Sequence, residues 1–256
     1  MPVPSNTAQG LDSHQGAVLL FSGRTGEALA LLNASAITEL RSPAVSAIAT
    51  DVLARPDATQ LAVLGAGVQG AAHVRALAHI RPFRRITVTA RDQERCAAVC
   101  ARLEKELELP IEPCADAQKA VEDADVVVTA TTSTVPVLER SWIRPGTHVN
   151  AIGSAVPSTR EVDTATMVAA TVFVDHAEAF LTETGDYLFA AAEKAIGPEH
   201  LRGTLGKILT GVLPGRTSEQ EITLFDSVGL AVEDLFAARR VYSVAAERGL
   251  GTRVDY

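Results

Sequence analysis

The sequence has few of the residues that build disulfide scaffolds, metal centres or membrane spans. Its three cysteines, Cys96, Cys100 and Cys114, include no CxxC pair, which argues against a disulfide framework and against a cysteine-ligated zinc site. Its six histidines form no HxH or HxxH pair, so no metal is predicted. No apolar stretch approaches the ~18 residues of a membrane span. The first residues also lack the charged and apolar regions of a secretory signal.

An excess of positive charge is also missing. The formal net charge is −8 and the pI is near 5.3, whereas binding to nucleic acid requires a basic surface that displaces counterions. We therefore expect a soluble, cytoplasmic protein without a nucleic-acid or membrane partner. Because 47% of its 256 residues are hydrophobic, the chain can bury a full core, in one large domain or two small ones.

A glycine-rich turn, Gly65-x-Gly67-x-x-Gly70, is the most informative motif. Four apolar residues precede it and an amphipathic pattern follows it, so it joins a buried strand to a helix. The free N–H groups and positive dipole end of such a helix suit a dinucleotide pyrophosphate. Although glycine-rich turns are common, a second strand at 85–90 lies at βαβ distance, which favours a nucleotide site over a plain turn.

The residues after that second strand indicate which dinucleotide is bound. Enzymes that prefer NAD carry an acidic residue there, which holds the ribose 2′-OH. This chain has Thr89-Ala90-Arg91, and an arginine matches a 2′-phosphate by charge and by its fork of donors. The neighbouring Asp92 weakens the positive field, and Arg91 could also be a solvated loop residue. We predict a preference for NADP(H), with NAD(H) possible.

Strands and helices alternate from residue 61, and the strands are continuously apolar. This pattern is typical of a parallel sheet that is covered on both faces, an α/β fold. We predict a Rossmann domain at 57–175 with strand order 3-2-1-4-5-6, in which 171–175 is the sixth strand. Residues 1–56 would form a partial substrate and dimerisation domain. Residues 176–256 would be a helical segment that returns to it.

Local signals predict several other elements. A hairpin is expected around Ser22–Gly26, between the apolar runs 17–21 and 27–32. A helix starting near Ser35 should break at Pro43, where a second helix begins. Residues 219–225 and 230–246 have apolar residues at helical spacing. Cys96 and Cys100 should share the buried face of a helix.

The ends of the later strands are candidates for the chemistry. In a doubly wound sheet, ligands lie at the carboxyl ends of the strands, which places 129–134 and 151–154 beside the nicotinamide. Ordinary β-propensity and turn chemistry explain these residues about as well. There is no GxSxG motif, and hydride transfer asks the protein mainly to position its substrate. Arg41 is the candidate for holding a substrate carboxylate, and its alternative is an ion-paired helix residue.

Five blocks of sequence resemble the ornithine cyclodeaminase/mu-crystallin family, and the resemblance covers nearly the whole chain. They are, in order, Ser13–Phe21 (SHQGAVLLF), Ala36–Ser46 (AITELRSPAVS), Leu64–Gln69 (LGAGVQ), Val149–Ser154 (VNAIGS) and Ser227–Asp234 (SVGLAVED). The family implies a dimeric enzyme with a Rossmann domain and a second domain built around a small sheet. Its members include ornithine cyclodeaminases, alanine dehydrogenases and ketimine or cyclic-imine reductases.

The resemblance implies a role for individual positions. The residues at the dinucleotide would be Gly65, Gly67, Val68, Gln69 and Gly70 at the pyrophosphate, Arg91 at the 2′-phosphate, and Thr131, Thr132, Ile152 and Ser227 along the nicotinamide half. Ser13, His14 and Arg41 match positions that face the substrate, and Arg41 is the expected catalytic-site residue. The partner would be a small amino or imino acid, and the assembly a homodimer.

Two departures from the family pattern affect these expectations. The resemblance implies that the chain begins within the family's second domain. Several tens of residues that the family has upstream would then be missing, with a lysine that helps to bind the substrate carboxylate. We therefore expect NADPH binding with poor turnover of a cyclic imino acid. The second departure is Ala155, which stands where the cyclodeaminases place an aspartate.

Three functions follow from these patterns. We favour NADPH-linked reduction of a carboxylate-bearing imine, or the related reversible amino-acid dehydrogenation. The alternatives are an NAD-dependent ornithine cyclodeaminase, from which Ala155 and Arg91 point away, and a non-catalytic, NADPH-dependent small-molecule binding protein.

Overall fold

Residues 15–254 are described by a computed structural model, with ten strands and nine α-helices in that range. The strands are β1 (Ala17–Phe21), β2 (Ala28–Asn33), β3 (Gln60–Leu64), β4 (Arg85–Thr89), β5 (Ile111–Pro113), β6 (Val126–Thr129), β7 (His148–Ala151), β8 (Thr171–Val174), β9 (Leu201–Thr204) and β10 (Thr223–Asp226). The helices are α1 (Ala34–Leu53), α2 (Val68–Ile80), α3 (Gln93–Leu107), α4 (Ala117–Val121), α5 (Thr164–Ala169), α6 (Ala177–Glu183), α7 (Gly185–Ala192), α8 (Leu205–Leu209) and α9 (Ala231–Arg248).

The main sheet has eight parallel strands in the order β5-β4-β3-β6-β7-β10-β8-β9. Its central strands are almost entirely buried and most of their residues are apolar, which is typical of a parallel sheet covered on both faces. The predicted α/β fold with a Rossmann-type parallel sheet is confirmed.

The register of the sheet aligns the carboxyl ends of five adjacent strands. Leu64 of β3 pairs with Thr89 on one side and with Thr129 on the other. Ala151 in turn pairs with Thr129 and with Asp226. The loops that follow these strands therefore leave the sheet side by side along one edge.

The predicted strand order is correct for the first five strands and wrong for the sixth. The position beside β7 is occupied by β10, and the strand at 171–174 lies one place further out. Residues 219–225, predicted as helical, contain the start of this strand, and β9 also lies in the segment predicted to be helical. The periodicity of a short apolar run does not distinguish a buried strand from a helix. The segment becomes a strand because it pairs with the neighbouring strands of the sheet.

Helix α1 continues through Pro43, where the sequence predicts a break. A proline inside a helix costs about 3 kcal/mol, because a hydrogen bond is lost and the ring clashes with the preceding turn. Packing outweighs this cost. Ser46, Ala49, Thr50 and Leu53 are all fully buried at helical spacing.

The chain forms two compact units. One is Ser42–Gly229, and the other combines the described residues of Met1–Arg41 and Leu230–Tyr256. In the second unit β1 and β2 form the predicted hairpin, and α9 lies against β1. The limits of these units, at residues 41 and 229, differ from the domain limits at residues 56 and 175 that the sequence suggests. The division into domains at 56 and 175 stays a prediction.

Two smaller expectations concern cysteine and membrane spans. Cys96 and Cys100 are buried together on α3, as predicted.

Within residues 15–254, no helix is both long enough and apolar enough to cross a membrane.

Candidate functional site

The glycine turn after β3 is fixed to the strands on either side of it. Gly65 N–H donates to Thr89 O at 2.8 Å, and Ala130 N–H donates to Leu64 O at 2.9 Å. Gly65 has a φ of +123°, and a methyl group on it would lie 2.4 Å from Ala130 O. Only glycine fits here, because the backbones of β3 and the β6 loop approach so closely.

Gly70 is required for a second backbone contact. A methyl group on Gly70 would lie 1.8 Å from Gly65 O, so the first turn of α2 packs directly on the glycine turn. This contact sets the position of the helix relative to its strand.

Gly67 differs from both, because nothing in the described structure lies near the place where its side chain would be. A methyl group there would meet no atom within 4 Å, and its φ of −81° suits any residue. Gly67 is the N-cap of α2 without a side-chain cap, and the N–H of Ala71 donates to Gly67 O at 3.0 Å. The N–H groups of the first helical residues, Val68, Gln69 and Gly70, thus form a helix N-terminus that fits a pyrophosphate.

Arg91 lies in the bend after β4, next in the sheet to the glycine turn. Its side chain is exposed, and within the described chain it has no hydrogen-bond or ion-pair partner. The carboxylate of Asp92 is turned to the start of α3, where it accepts from Arg95 N at 2.9 Å. Arg91 is therefore available to an anion at this edge.

The predicted nicotinamide segments follow β6 and β7. Thr131 Oγ1 accepts from Ser133 N at 3.1 Å, Thr132 is exposed, and Ile152 N donates to Thr129 O at 2.9 Å. A methyl group on Gly65 would lie 3.4 Å from Thr131 Cγ2, so the glycine turn touches this loop. The structure brings these residues together along one edge, while their roles stay predictions.

Ser227 reaches the same edge because β10 is inserted beside β7. Its N–H donates to Ala151 O at 3.0 Å, and its hydroxyl donates to Asp175 Oδ2 at 2.9 Å. Asp175 also accepts from the backbone N–H groups of Val228 and Gly229, at 3.3 and 2.7 Å. One carboxylate thus holds the whole loop that begins with Ser227.

Glu161 lies behind the loops after β6 and β7 and is fully buried. Its Oε2 accepts from Thr129 Oγ1 at 2.8 Å and from Gly153 N at 2.6 Å, and its Oε1 accepts from Thr131 N at 2.5 Å. Burial raises the pKa of Glu161 to about 7, with a smaller contribution from Asp186, although the donors favour the charged form.

Asp226 and Asp186 are further buried carboxyl groups near this edge. Neither oxygen of Asp226 has a hydrogen-bond partner among the described residues. Burial, followed by the charges of Asp186, Asp175 and Glu161, raises the pKa of Asp226 well above its usual value. Burial also raises the pKa of Asp186. Protonation of some of these groups relieves the charge that the interior does not compensate.

Arg41 belongs to the smaller unit and is ion-paired. Its Nη1 donates to Glu233 Oε2 at 3.1 Å and its Nε donates to Asp234 Oδ1 at 3.2 Å, both in the first turn of α9. The ion-paired reading of Arg41 is what the structure shows, and its role toward a substrate stays a prediction. Ser13 and His14, the other two predicted substrate residues, lie outside the described residues.

Within residues 15–254, no group of three histidine, cysteine or acidic side chains is arranged to hold a metal ion.

Comparison with known proteins identifies the family. The sequence matches the ornithine cyclodeaminase/mu-crystallin family over residues 2–249. The chain belongs to this family. The assignment made from the five sequence blocks is therefore confirmed.

Several individual relatives are named as pyrroline-2-carboxylate or ketimine reductases. A Delta(1)-pyrroline-2-carboxylate reductase of Bacillus cereus is 35% identical over 255 residues, 99% of this chain and 78% of that protein. The ketimine reductase mu-crystallin of Mus musculus is 37% identical over 238 residues, 93% of this chain and 71% of that protein. The structure of Thermococcus litoralis Delta(1)-pyrroline-2-carboxylate reductase with NADH and L-proline matches with a TM-score of 0.95 and 37% identity. It covers 98% of this chain and 78% of that one.

Several residues of this edge are absent from the sequence-based list. Glu161, Asp175 and Asp186 act on the loops through backbone N–H groups, which leave no pattern in a sequence. Asp226 directly precedes the Ser227 block, but the spacing of apolar residues before it predicts a helix. Recognising Ile222–Phe225 as a short apolar run before a glycine-containing turn is the signal that could have found it.

Proposed function

We propose that this chain is an NAD(P)H-dependent reductase of a carboxylate-bearing imine, such as a cyclic imino acid. The observation that carries the proposal is the open N-terminus of α2 at Gly67, which lies beside the aligned ends of β6, β7 and β10. The reaction is suggested by the similarity of the chain to pyrroline-2-carboxylate reductase. The reverse reaction, oxidation of an amino acid, uses the same groups.

The dinucleotide would lie along the edge of the sheet. The N–H groups of Val68, Gln69 and Gly70 would bind the pyrophosphate, and Arg91 the 2′-phosphate of NADP(H). The nicotinamide half would contact Thr131, Thr132, Ile152 and Ser227. The preference for NADP(H) rests on Arg91, since the end of β4 offers no carboxylate to a ribose 2′-OH and Asp92 caps α3 instead.

Arg41 would hold the carboxylate of the imine. Its contacts with Glu233 and Asp234 use Nη1 and Nε, and the guanidinium has further N–H groups that can bind a carboxylate. The two acidic residues would fix the orientation of the guanidinium, and their surplus negative charge favours the protonated iminium of the substrate. A bound reduced nicotinamide would supply the hydride, and Ser13 and His14 would complete the substrate site.

We also propose that the active form is a homodimer. Leu19, Phe21 and Leu31 are 58%, 55% and 71% exposed on the small hairpin, and Leu19 pairs with Leu31. A cluster of large apolar side chains on a two-stranded sheet is typical of an interface. Light scattering of the wild type and of a Leu31→Lys variant tests this, because the charge should dissociate a dimer that uses this face.

The reaction is tested by following NADPH oxidation with pyrroline-2-carboxylate. Arg41→Ala should raise KM for the imino acid by about 10- to 100-fold, the loss expected for a charged hydrogen-bonded pair, with an unchanged Kd for NADPH. Arg24→Ala, a change on the exposed hairpin turn, is the matched control.

Other results would favour the alternatives. NADPH binding without turnover of any imino acid supports the binding-protein reading. Release of ammonia from ornithine without added nicotinamide supports the cyclodeaminase reading, for which Ala155 supplies no carboxylate.

A further inference from the structure

Glu161 connects loops that follow two different strands. It accepts hydrogen bonds from Thr129 and Thr131, which end and follow β6, and from Gly153, which follows β7. These loops are the ones proposed to flank the nicotinamide. Glu161 itself has no predicted contact with the dinucleotide.

The packing around Gly153 shows how closely the three segments meet. A methyl group on Gly153 would lie 2.2 Å from Thr131 O and 2.6 Å from the carboxyl carbon of Glu161. The separation of the two loops is therefore set by the carboxylate between them.

Glu161 is in turn held by the backbone. Its own N–H and that of Val162 donate to Asp186 Oδ1, at 2.7 and 3.0 Å. Asp186 lies in the first turn of α7, so a helix on one side of the sheet fixes the residue that joins the loops.

The donors around Glu161 favour a carboxylate over an amide. Each of its two oxygens faces a backbone N–H, Thr131 at Oε1 and Gly153 at Oε2, and a backbone N–H cannot become an acceptor. Only the Thr129 hydroxyl can reverse its direction. An amide in place of the carboxylate would set its NH2 group against one of the two loops.

We propose that Glu161 is a positioning residue of the reductase, whose ionised carboxylate holds the β6 and β7 loops in the spacing that accepts the nicotinamide half of the dinucleotide. The proposal rests on the proposed function for the identity of the ligand. The clamp itself is visible in the contacts of the carboxylate.

The surroundings make this clamp sensitive to pH near neutrality. Burial raises the pKa of Glu161 to about 7, and the hydroxyl and N–H donors oppose the increase. Asp186 from α7 faces Glu161 and disfavours a further negative charge on it. The charge of Glu161 in turn helps to raise the pKa of Asp226 from β10. Protonation below pH 7 would weaken the hydrogen bonds from both loops.

The test is the pH dependence of the Kd for NADH between pH 6 and 8.5. NADH is the probe because the 2′-phosphate of NADPH itself titrates near pH ~6. His73 and His148 do not interfere, since burial lowers their pKa values to about 4 and about 3. In the wild type we expect the Kd to rise as the pH falls through about 7.

Three variants separate positioning from general stability. Glu161→Gln should bind NADH about 10-fold more weakly at pH 8 and lose the pH dependence. Thr129→Val removes one donor to the charged form, so the midpoint of the wild-type profile should move to higher pH. Glu193→Gln, a neighbouring carboxylate that contacts Arg160 and Thr164 instead of the loops, should match the wild type.

A flat wild-type profile would overturn the proposal, as would an unshifted midpoint in Thr129→Val or an unchanged profile in Glu161→Gln. If Glu161→Gln does not fold, the Thr129→Val midpoint decides the matter. If the wild type binds neither NADH nor NADPH, the proposed function fails. In that case hydrogen exchange of the Thr131 and Gly153 amides tests the role of Glu161 by itself. Equal protection of these amides in the wild type and in Glu161→Gln would overturn the proposal, and a loss of protection in the variant would support it.

Discussion

The two glycines at the start of α2 give the sharpest prediction, because the structure leaves space at one of them and packs the other against the backbone. A methyl group at position 67 meets nothing within 4 Å, whereas one at position 70 lies 1.8 Å from Gly65 O. Gly67→Ala and Gly70→Ala are the same chemical change, three residues apart, with opposite expected effects.

For Gly67→Ala two small terms oppose each other in the free energy of unfolding. Alanine is a poorer N-cap than glycine by up to about 1 kcal/mol. It also reduces the entropy of the unfolded chain, which stabilises by about 0.4–1 kcal/mol at a compatible φ. The net change should stay within about 1 kcal/mol. Affinity for NADPH should fall at least about 10-fold, or about 1.4 kcal/mol, because the methyl group occupies the approach of the pyrophosphate.

Gly70→Ala forces the backbone of the first helical turn away from Gly65. The required movement exceeds ~1 Å, and we expect a loss of more than about 3 kcal/mol in the free energy of unfolding. Urea unfolding and fluorescence titration with NADPH, on both variants, measure the two quantities. Wild-type NADPH affinity in a folded Gly67→Ala protein would refute the placement of the pyrophosphate. Equal destabilisation by both changes would refute the division of roles.

Three further predictions concern charge and burial. Arg91→Ala should weaken NADPH binding about 10-fold or more and leave NADH binding unchanged, and tighter binding of NADH than NADPH by the wild type would contradict the cofactor assignment. The pKa of Asp226 is raised in the folded protein, so the carboxyl group binds a proton more strongly there than in the unfolded chain. This proton binding stabilises the fold at low pH, and the contribution is lost as the pH rises above the pKa that Asp226 has in the unfolded chain. Asp226→Asn should therefore gain stability relative to the wild type between pH 5 and 8 in urea unfolding, and a constant difference would contradict this. His73 donates from Nδ1 to Gln69 O and accepts at Nε2 from the Ser46 hydroxyl. Ser46→Ala should therefore lower the free energy of unfolding in urea by about 1–3 kcal/mol. An unchanged free energy of unfolding would show that the buried ring finds another donor.

The family blocks and the order of the first five strands of the sheet could be read from the sequence. The glycine turn was decisive because two of its glycines are required by backbone contacts within one strand–turn–helix unit, where neighbours in sequence are neighbours in space. The buried strands β3 and β6 were recognisable for the same local reason, because each contains a continuous apolar run that leads into a turn. Arg91 could be placed because the end of the second strand lies at a fixed distance from the turn.

The path of the chain after residue 175 was decided only by tertiary structure. β10 has no hydrophobic periodicity that distinguishes it from a helix, and it forms a strand because the place between β7 and β8 buries Leu224 and Phe225 completely. Helix α1 likewise passes through Pro43, because the buried face around Ser46 and Thr50 compensates for a local penalty.

The carboxylates behind the loops depend on the same long-range contacts. Glu161 meets Thr129 from 32 residues away, and Asp175 meets Gly229 from 54 residues away. Their partners are mostly backbone N–H groups, which every non-proline residue carries, so residue identity alone does not reveal them. Local rules thus determined where this chain presents its helix N-terminus, and the insertion of a distant strand decided what surrounds it.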